Sequence, residues 1–321
     1  MRRNILRLAC AYIAVSALPV LAAAYPERPV RIIVPFPAGG GTDAIARSLG
    51  EELSRRLGKP FIVENKPGAA SIMGSDQVSK SPADGYTLLL TTSAFAIVAS
   101  VGPKLPYDGT RAFEPIALLG RAPNVVLVRK DSRLKSMEDL LQVAKASPGK
   151  LTYGSAGNGS SVHLAAEYLQ AMSGIRLIHV PYKGSAPQFS DLLAGHIDAA
   201  FATMASSAGL IRDGRVRALA VTSAERSPTF PEVPTISEVG VKGYSADVWY
   251  GVFAPKGTSP AIVQVLYQAI ESASASGPYR ERLAREGVTG RVGAPQDLTI
   301  TVDQEVARWK SVAKERNIQF D

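Results

Sequence analysis

Two stretches of the chain repeat one order of signals: a β-rich run, a turn crowded with glycine, then an amphipathic helix. The first comprises residues 30–36, the turn Pro37-Ala38-Gly39-Gly40-Gly41, and a helical pattern over residues 42–57. On that helix Ile45, Leu49, Leu53 and Leu57 recur every four residues, and Gly58 stands where a C-cap belongs. The second comprises Leu151-Thr152-Tyr153, the loop Gly154-Ser155-Ala156-Gly157-Asn158-Gly159, and a helical pattern over 161–172. Further β-rich runs at 61–63, 86–90, 124–128, 176–180, 199–201, 217–221 and 248–253 alternate with helical patterns at 137–146, 260–274 and 297–316. Residues 65–74 read as turns. Such alternation predicts an α/β fold with parallel sheets covered by helices on both faces.

A chain of 321 residues has room for two cores. No linker rich in Ser, Pro or charge divides it, so the strands near 124–128 and 248–253 read as crossovers between two lobes. Residues 25–123 and 249–321 then form lobe 1, and 124–248 form lobe 2. Residues 1–24 stand apart. Arg2, Arg3 and Arg7 precede an uncharged run from Leu8 that ends in Ala22-Ala23-Ala24, the pattern of a cleaved export signal. Pro19 interrupts that run, which is shorter than the roughly 20 residues of a membrane span. Cleavage removes three Arg and no acid, taking the net charge from +8 to +5. It also removes Cys10, the single cysteine, so the exported chain has no disulfide to support its cores.

Glycine between a strand and a helix lets a ligand approach the backbone without a Cβ in the way. The helix that follows presents unpaired N–H groups and the positive end of its dipole, which together attract an anion. Thr42 or Asp43 would serve as N-cap of the first helix. Ser155, Ser160 and Ser161 add hydroxyl donors at the second turn. One turn in each lobe implies an acidic ligand held between facing helix N-termini.

Enzyme signatures fail at these positions. A dinucleotide fingerprint needs glycine where Val162 stands, and a nucleophile elbow needs glycine where Tyr153 stands. His163, His179 and His196 lack the spacing of a zinc site, so no metal or cofactor is expected. Ser155 and His163 are the one pair that suggests a hydrolase, and capping with packing explains them better. Basic residues such as Arg47, Arg55 and Arg56 alternate with acids on helix faces, without a basic tract for nucleic acid. The residual positive charge suits an acidic small molecule.

The ordered motifs resemble the receptors of the tripartite tricarboxylate transporter family, the Bug-type or TctC-like periplasmic proteins. They are Tyr25-Pro26-Glu27-Arg28-Pro29, residues 35–43 with Arg47, Asn65-Lys66-Pro67-Gly68-Ala69 and Asp84-Gly85-Tyr86-Thr87-Leu88. Then follow Tyr153-Gly154-Ser155 with Gly157 and Gly159, Val180-Pro181-Tyr182-Lys183-Gly184, Pro231-Glu232-Val233-Pro234-Thr235, and Trp249 with Gly251. The resemblance covers essentially all of residues 25–321. It implies a two-lobed Venus-flytrap of the type II periplasmic binding class, monomeric, that hands a small carboxylate to large and small integral-membrane transport subunits. An extracytoplasmic subunit that signals to a sensor kinase is the alternative. Carried over, Phe36, Ala38, Gly39, Gly40, Thr42 and Asp43 hold a carboxylate. Thr92, Ser93 and Ala94, then Ser155, Gly157, Ser160 and His163, line the rest of the cleft, with Tyr182, Lys183 and Gly184 at its edge and Thr203 a further ligand-binding candidate. The sequence departs from the family at Ala38, usually Pro, and at Ala70-Ser71, usually Gly-Gly. It departs again at Ala202-Thr203-Met204-Ala205, commonly Asp-Ser-Leu-Pro.

Overall fold

β1 (Val30–Val34) lies between two strands and is buried along nearly its whole length, which is why its sequence is a continuous apolar run. The computed structural model describes residues 25–316 apart from 103 and 159, so the export signal read in 1–24, Cys10 included, lies outside the described residues. After β1 the chain forms α1 (Gly41–Leu57), β2 (Phe61–Asn65), α2 (Ile72–Ser79), β3 (Thr87–Thr92), α3 (Ala94–Val101) and β4 (Phe113–Ala122). It then crosses at Pro123 into β5 (Asn124–Arg129), α4 (Met137–Ala146), β6 (Thr152–Ser155), α5 (Ser161–Ser173) and β7 (Ile178–Pro181). α6 (Ser185–Ala194), β8 (Ala199–Thr203), α7 (Met204–Arg212) and β9 (Val216–Val221) complete the second body. The chain returns through β10 (Val248–Pro255), α8 (Pro260–Ala273), α9 (Gly277–Arg285) and α10 (Pro295–Arg316).

The strands form two five-stranded sheets, ordered β2-β1-β3-β10-β4 and β7-β6-β8-β5-β9. Both sheets are mixed, which corrects the expectation of parallel sheets. β1, β2 and β3 run parallel, as do β6, β7 and β8, but β10 is antiparallel to both neighbours and so is β5. The antiparallel strands are the two that follow the crossovers, where the chain enters each sheet against its prevailing direction. Each sheet has an apolar cluster on both faces, as helices packed against both sides of a sheet require.

The crossovers are tied to each other. Asn124 N–H donates to Thr222 Oγ1 at 2.8 Å, and Asn124 Nδ2 donates to the carbonyl of Ala246 at 3.2 Å. α10 starts on β4 and ends on the other body: Trp309 and Val312 pack with Ile97 of α3 and with Leu164 and Ala171 of α5. Residues 65–74, read as turns, contain the start of α2, and Ala94 of the Thr92-Ser93-Ala94 turn is the first residue of α3.

Candidate functional site

Every turn singled out in the sequence leaves the C-terminal end of a strand that runs parallel to a neighbour: β1, β2 and β3 in one sheet, β6, β7 and β8 in the other. Open α/β sheets place ligands outside those ends. Gly41 at the start of α1 faces Ala205 in the first turn of α7, so close that a Cβ on Gly41 would stand 3.3 Å from that of Ala205. Gly287 similarly faces Met204, where a Cβ would meet side-chain carbon at 3.0 Å. The two bodies therefore touch along a seam beside the turns.

The first turn is built around Asp43. Its carboxylate accepts from Gly39 N–H at 2.9 Å and from Arg47 Nε at 3.0 Å, and Arg47 Nη2 donates to Asn65 Oδ1 at 2.9 Å. Asn65 Nδ2 closes the ring on the carbonyl of Phe36. Gly39 has φ +82°, a conformation that β-carbon-bearing residues rarely adopt. The N-cap of α1 is Gly40, not Thr42 or Asp43, and no side chain caps the helix. No side-chain hydrogen bond satisfies its first amides, and the Glu286 carboxylate stands nearby, 2.7 Å from where a Cβ on Gly41 would lie. Gly39 and Gly40 are exposed and Phe36 is half-buried against the core, while Asp43 is buried, with Oδ2 committed to Gly39 and Arg47 and Oδ1 ion-paired to Arg47 at 3.0 Å without a hydrogen bond. Asp43, expected among the ligand-holding groups, instead holds the turn. Burial by itself would raise its pKa, but the hydrogen bonds from Arg47 and Gly39 together outweigh it and hold the group below the usual carboxylate value.

At the end of β3, Ser93 N–H is held by the carbonyl of Trp249 at 3.1 Å. The hydroxyls of Thr91 and Ser93 and the indole N–H of Trp249 are buried without hydrogen-bond partners among the described residues. Buried polar atoms are normally satisfied, so these three are exceptions to that rule at this end of the first sheet.

The second turn is built differently. Ser160 is a true N-cap: its Oγ accepts from His163 N–H at 3.3 Å and donates to the carbonyl of Gly157 at 2.7 Å. Ser155 Oγ lies 2.7 Å from His179 Nε2, not on His163, and also accepts from Gly157 N–H at 3.1 Å. His179 is stacked between Tyr153 and His163, with ring centroids 4.9 and 4.1 Å away. Burial keeps both imidazoles neutral, lowering His163 to about 3 and His179 to about 4. Sequence spacing did not single out His179. Its signal is parallel register, which sets it directly beside Tyr153. Ser155 is fully buried, which makes it a poor nucleophile for a substrate in solvent.

Tyr182 N–H donates to the carbonyl of Ser155, its ring lies against Gly154, and its hydroxyl bonds Asp191 at 2.7 Å. Burial and that carboxylate push the phenol up to about 12. Lys183 is exposed. Thr203 caps α7 by accepting from Ser206 N–H at 3.3 Å. Ala202 is 1% exposed in the core behind the second sheet, so an altered residue there does not itself widen the cleft. Ala38 is exposed and Thr42 and Gly157 are half-buried at their turns, whereas Thr92 and Ala94 are buried at the end of β3 and the start of α3. The side chains of Asp43, Ser155, Ser160, Tyr182 and Thr203 shape the backbone of theirs.

The chain matches the family described as tripartite tricarboxylate transporter family receptor over residues 45–318. It is 39% identical to the protein BugT of Bordetella pertussis over 301 residues, 93% of this chain and 92% of that one. A Rhodopseudomonas palustris protein solved with adipate superposes with TM-score 0.83 at 36% identity, covering 92% of this chain and 99% of that one. MatC from the same organism, solved with bound malate, superposes with TM-score 0.81 at 30% identity, covering 90% and 99%.

Proposed function

The chain belongs to the tripartite tricarboxylate transporter receptor family, and from that membership and the geometry of the turns we propose that it is a periplasmic receptor for a small organic acid. Its ligand lies in the cleft between the lobes, and the loaded, closed form is delivered to the integral-membrane transport subunits. The observation that carries this reading is the uncapped start of α1. Its amides and dipole face the seam with α7, so a carboxylate bound there touches one lobe directly and the other through closure. The adipate and malate of the two solved relatives support the ligand class. The lobe boundaries we propose follow the sheets: residues 25–123 and 249–321 carry the first, and 124–248 the second.

Closure works by differential binding. Contacts available only when α7 meets α1 shift the open–closed equilibrium, and a shift from mostly open to mostly closed requires about 5 kcal/mol. A few hydrogen bonds to a charged carboxylate, each worth about 1.5–3 kcal/mol, reach that figure.

Gly40→Val tests the proposal. Gly40 has an extended backbone at φ −82°, and a Cβ there meets only the Pro37 carbonyl at 3.7 Å. The variant should therefore fold, while valine intrudes on the face a carboxylate approaches. The expected result, by calorimetry of the chain from residue 25 with adipate, malate and aromatic acids, is binding by the parent and at least 100-fold weaker binding by the variant. A panel in which sugars bind and no acid does would refute the ligand class.

A further inference from the structure

On the opposite half of both sheets from the glycine turns, the edge strand β4 and the segment that follows the edge strand β9 flank a cavity of about 530 Å³. That volume falls in the range of small-molecule sites, roughly 300–1,000 Å³. Arg121 of β4 and Arg291 form one wall. The segment bearing Arg291 is fastened along the edge of β4 by reciprocal backbone bonds between Arg121 and Thr289, at 3.0 and 2.7 Å. Glu225, in the segment after β9, lies on the other wall, and Asp247 at the return crossover joins the two.

Among the described residues no ion pair within 4 Å joins the charges of this cavity, although Arg121 is near enough to act on Asp247 through space, as Arg308 does from α10. Arg226, also on its lining, is spent on both carboxylate oxygens of Glu238 at 3.0 and 3.1 Å. Arg121 is held by Thr301 Oγ1 at 3.0 Å, and among the described residues it forms no ion pair within 4 Å. Arg291 and Glu225 form none either. Asp247 Oδ1 is buried without a hydrogen-bond partner. A buried carboxylate oxygen left unpaired is costly, and a guanidinium facing a cavity is a ready partner for an anion. A simple anion would be repelled by Asp247 and Glu225, and a simple cation by Arg121 and Arg291.

We propose that this cavity behind the crossovers is a second ligand site that takes a small zwitterion, an amino acid. Its carboxylate meets Arg121 and Arg291, and its ammonium meets Asp247 and Glu225. The walls come from both lobes, so occupancy favours one lobe angle. Reciprocity then requires that a ligand in the cleft alter affinity here by the same factor as this ligand alters affinity there.

Equilibrium dialysis with radiolabelled glycine and γ-aminobutyrate, which bracket short and long charge separations, tests the site in the Gly40→Val chain, where the cleft is obstructed. The expected result is saturable binding of at least one probe, weakened tenfold or more by Asp247→Asn and again by Arg291→Ala. Arg291 is exposed, so its truncation leaves the fold intact, and Asp247→Asn is nearly isosteric. Absence of binding by both probes at millimolar concentration would overturn the proposal, as would binding indifferent to both substitutions. Acetate binding as tightly as glycine would also overturn it, since the site would then read only the anion.

Discussion

At Asp43 an acid stands beside an anion site without spoiling it, because Arg47 and the Gly39 N–H take up its charge. Asp43→Ala should remove both contacts, cost about 1–3 kcal/mol of stability and weaken ligand binding, while Asp43→Asn keeps an acceptor for Gly39 and loses less. Urea unfolding with calorimetry on both variants checks this; an Asp43→Ala chain equal to the parent in both would refute the locking role. The folded pKa of Asp43 is lowered, so the stability it contributes is present above the unfolded value near 3.8 and is lost as pH falls through the folded one. Ser71 presents the opposite case, a residue under strain. It is 3% exposed and sits at φ +80°, with Ala69 also left-handed at φ +44°. Left-handed backbone costs a β-carbon-bearing residue about 1–2 kcal/mol, part of which a glycine returns as unfolded-state entropy. Ser71→Gly should raise stability by about 0.5–1 kcal/mol, read from the urea midpoint. The departure from Gly-Gly at this place was legible in the sequence. The strain was not, because φ is a property of the folded loop.

Among the elements, those with strong periodicity or apolar runs were legible. Met137–Ala146 was legible to the residue, helped by its capping box of Ser136 and Asp139. α7 was not, since Ala205, Ser206, Ser207, Ala208 and Gly209 give no apolar stripe and a small residue suits a close seam as well as a turn. β4 carries Pro115 and Gly120, which argue against a strand, and it tolerates Pro because it is an edge. The direction of β5 and β10 was equally hidden, since alternation along the chain says nothing about which sheet a strand joins after crossing. α10 was legible as a helix but not as a bridge. Its Trp309, 2% exposed, packs with Ile97, Leu164 and Ala171 and donates its indole N–H to Glu305 at 2.6 Å. α3 and α5 both begin at turns of the candidate site, so this cluster connects the two lobes at the back of those helices. Trp309→Ala should cost about 3–5 kcal/mol as a buried aromatic truncation and broaden the range of lobe angles. Melting and small-angle scattering check it; an unchanged radius of gyration without ligand would show that the cluster does not set the angle.

For the molecule as a whole, the crossovers are where two cores must be joined through a narrow waist, and the waist contains a group that titrates in an accessible range. Asp247 is pushed up to about 6 chiefly by burial, against the pull of Arg121 and Arg308 and with the added repulsion of Glu305 and Glu225. A raised folded pKa means that the native state holds its proton more tightly than the unfolded chain. The resulting stability is complete below the unfolded value near 4 and is lost as pH rises through about 6. A carboxyl group that ionises two pH decades later in the folded chain than in the unfolded one changes stability by about 3 kcal/mol across that interval. The unfolding free energy of the parent should therefore decline between pH 4 and pH 7 relative to that of Asp247→Asn, which cannot ionise. The variant should be the more stable of the two at pH 7. Denaturant titrations of both chains at half-unit pH steps give the difference directly, and parallel curves would mean that Asp247 is solvated well enough to ionise normally. If the curves do converge at low pH, the cost of the ionised carboxylate falls on one of the two crossovers that join the lobes. A counter-charge brought to that waist would then recover the lost stability and bias the angle between the lobes at once.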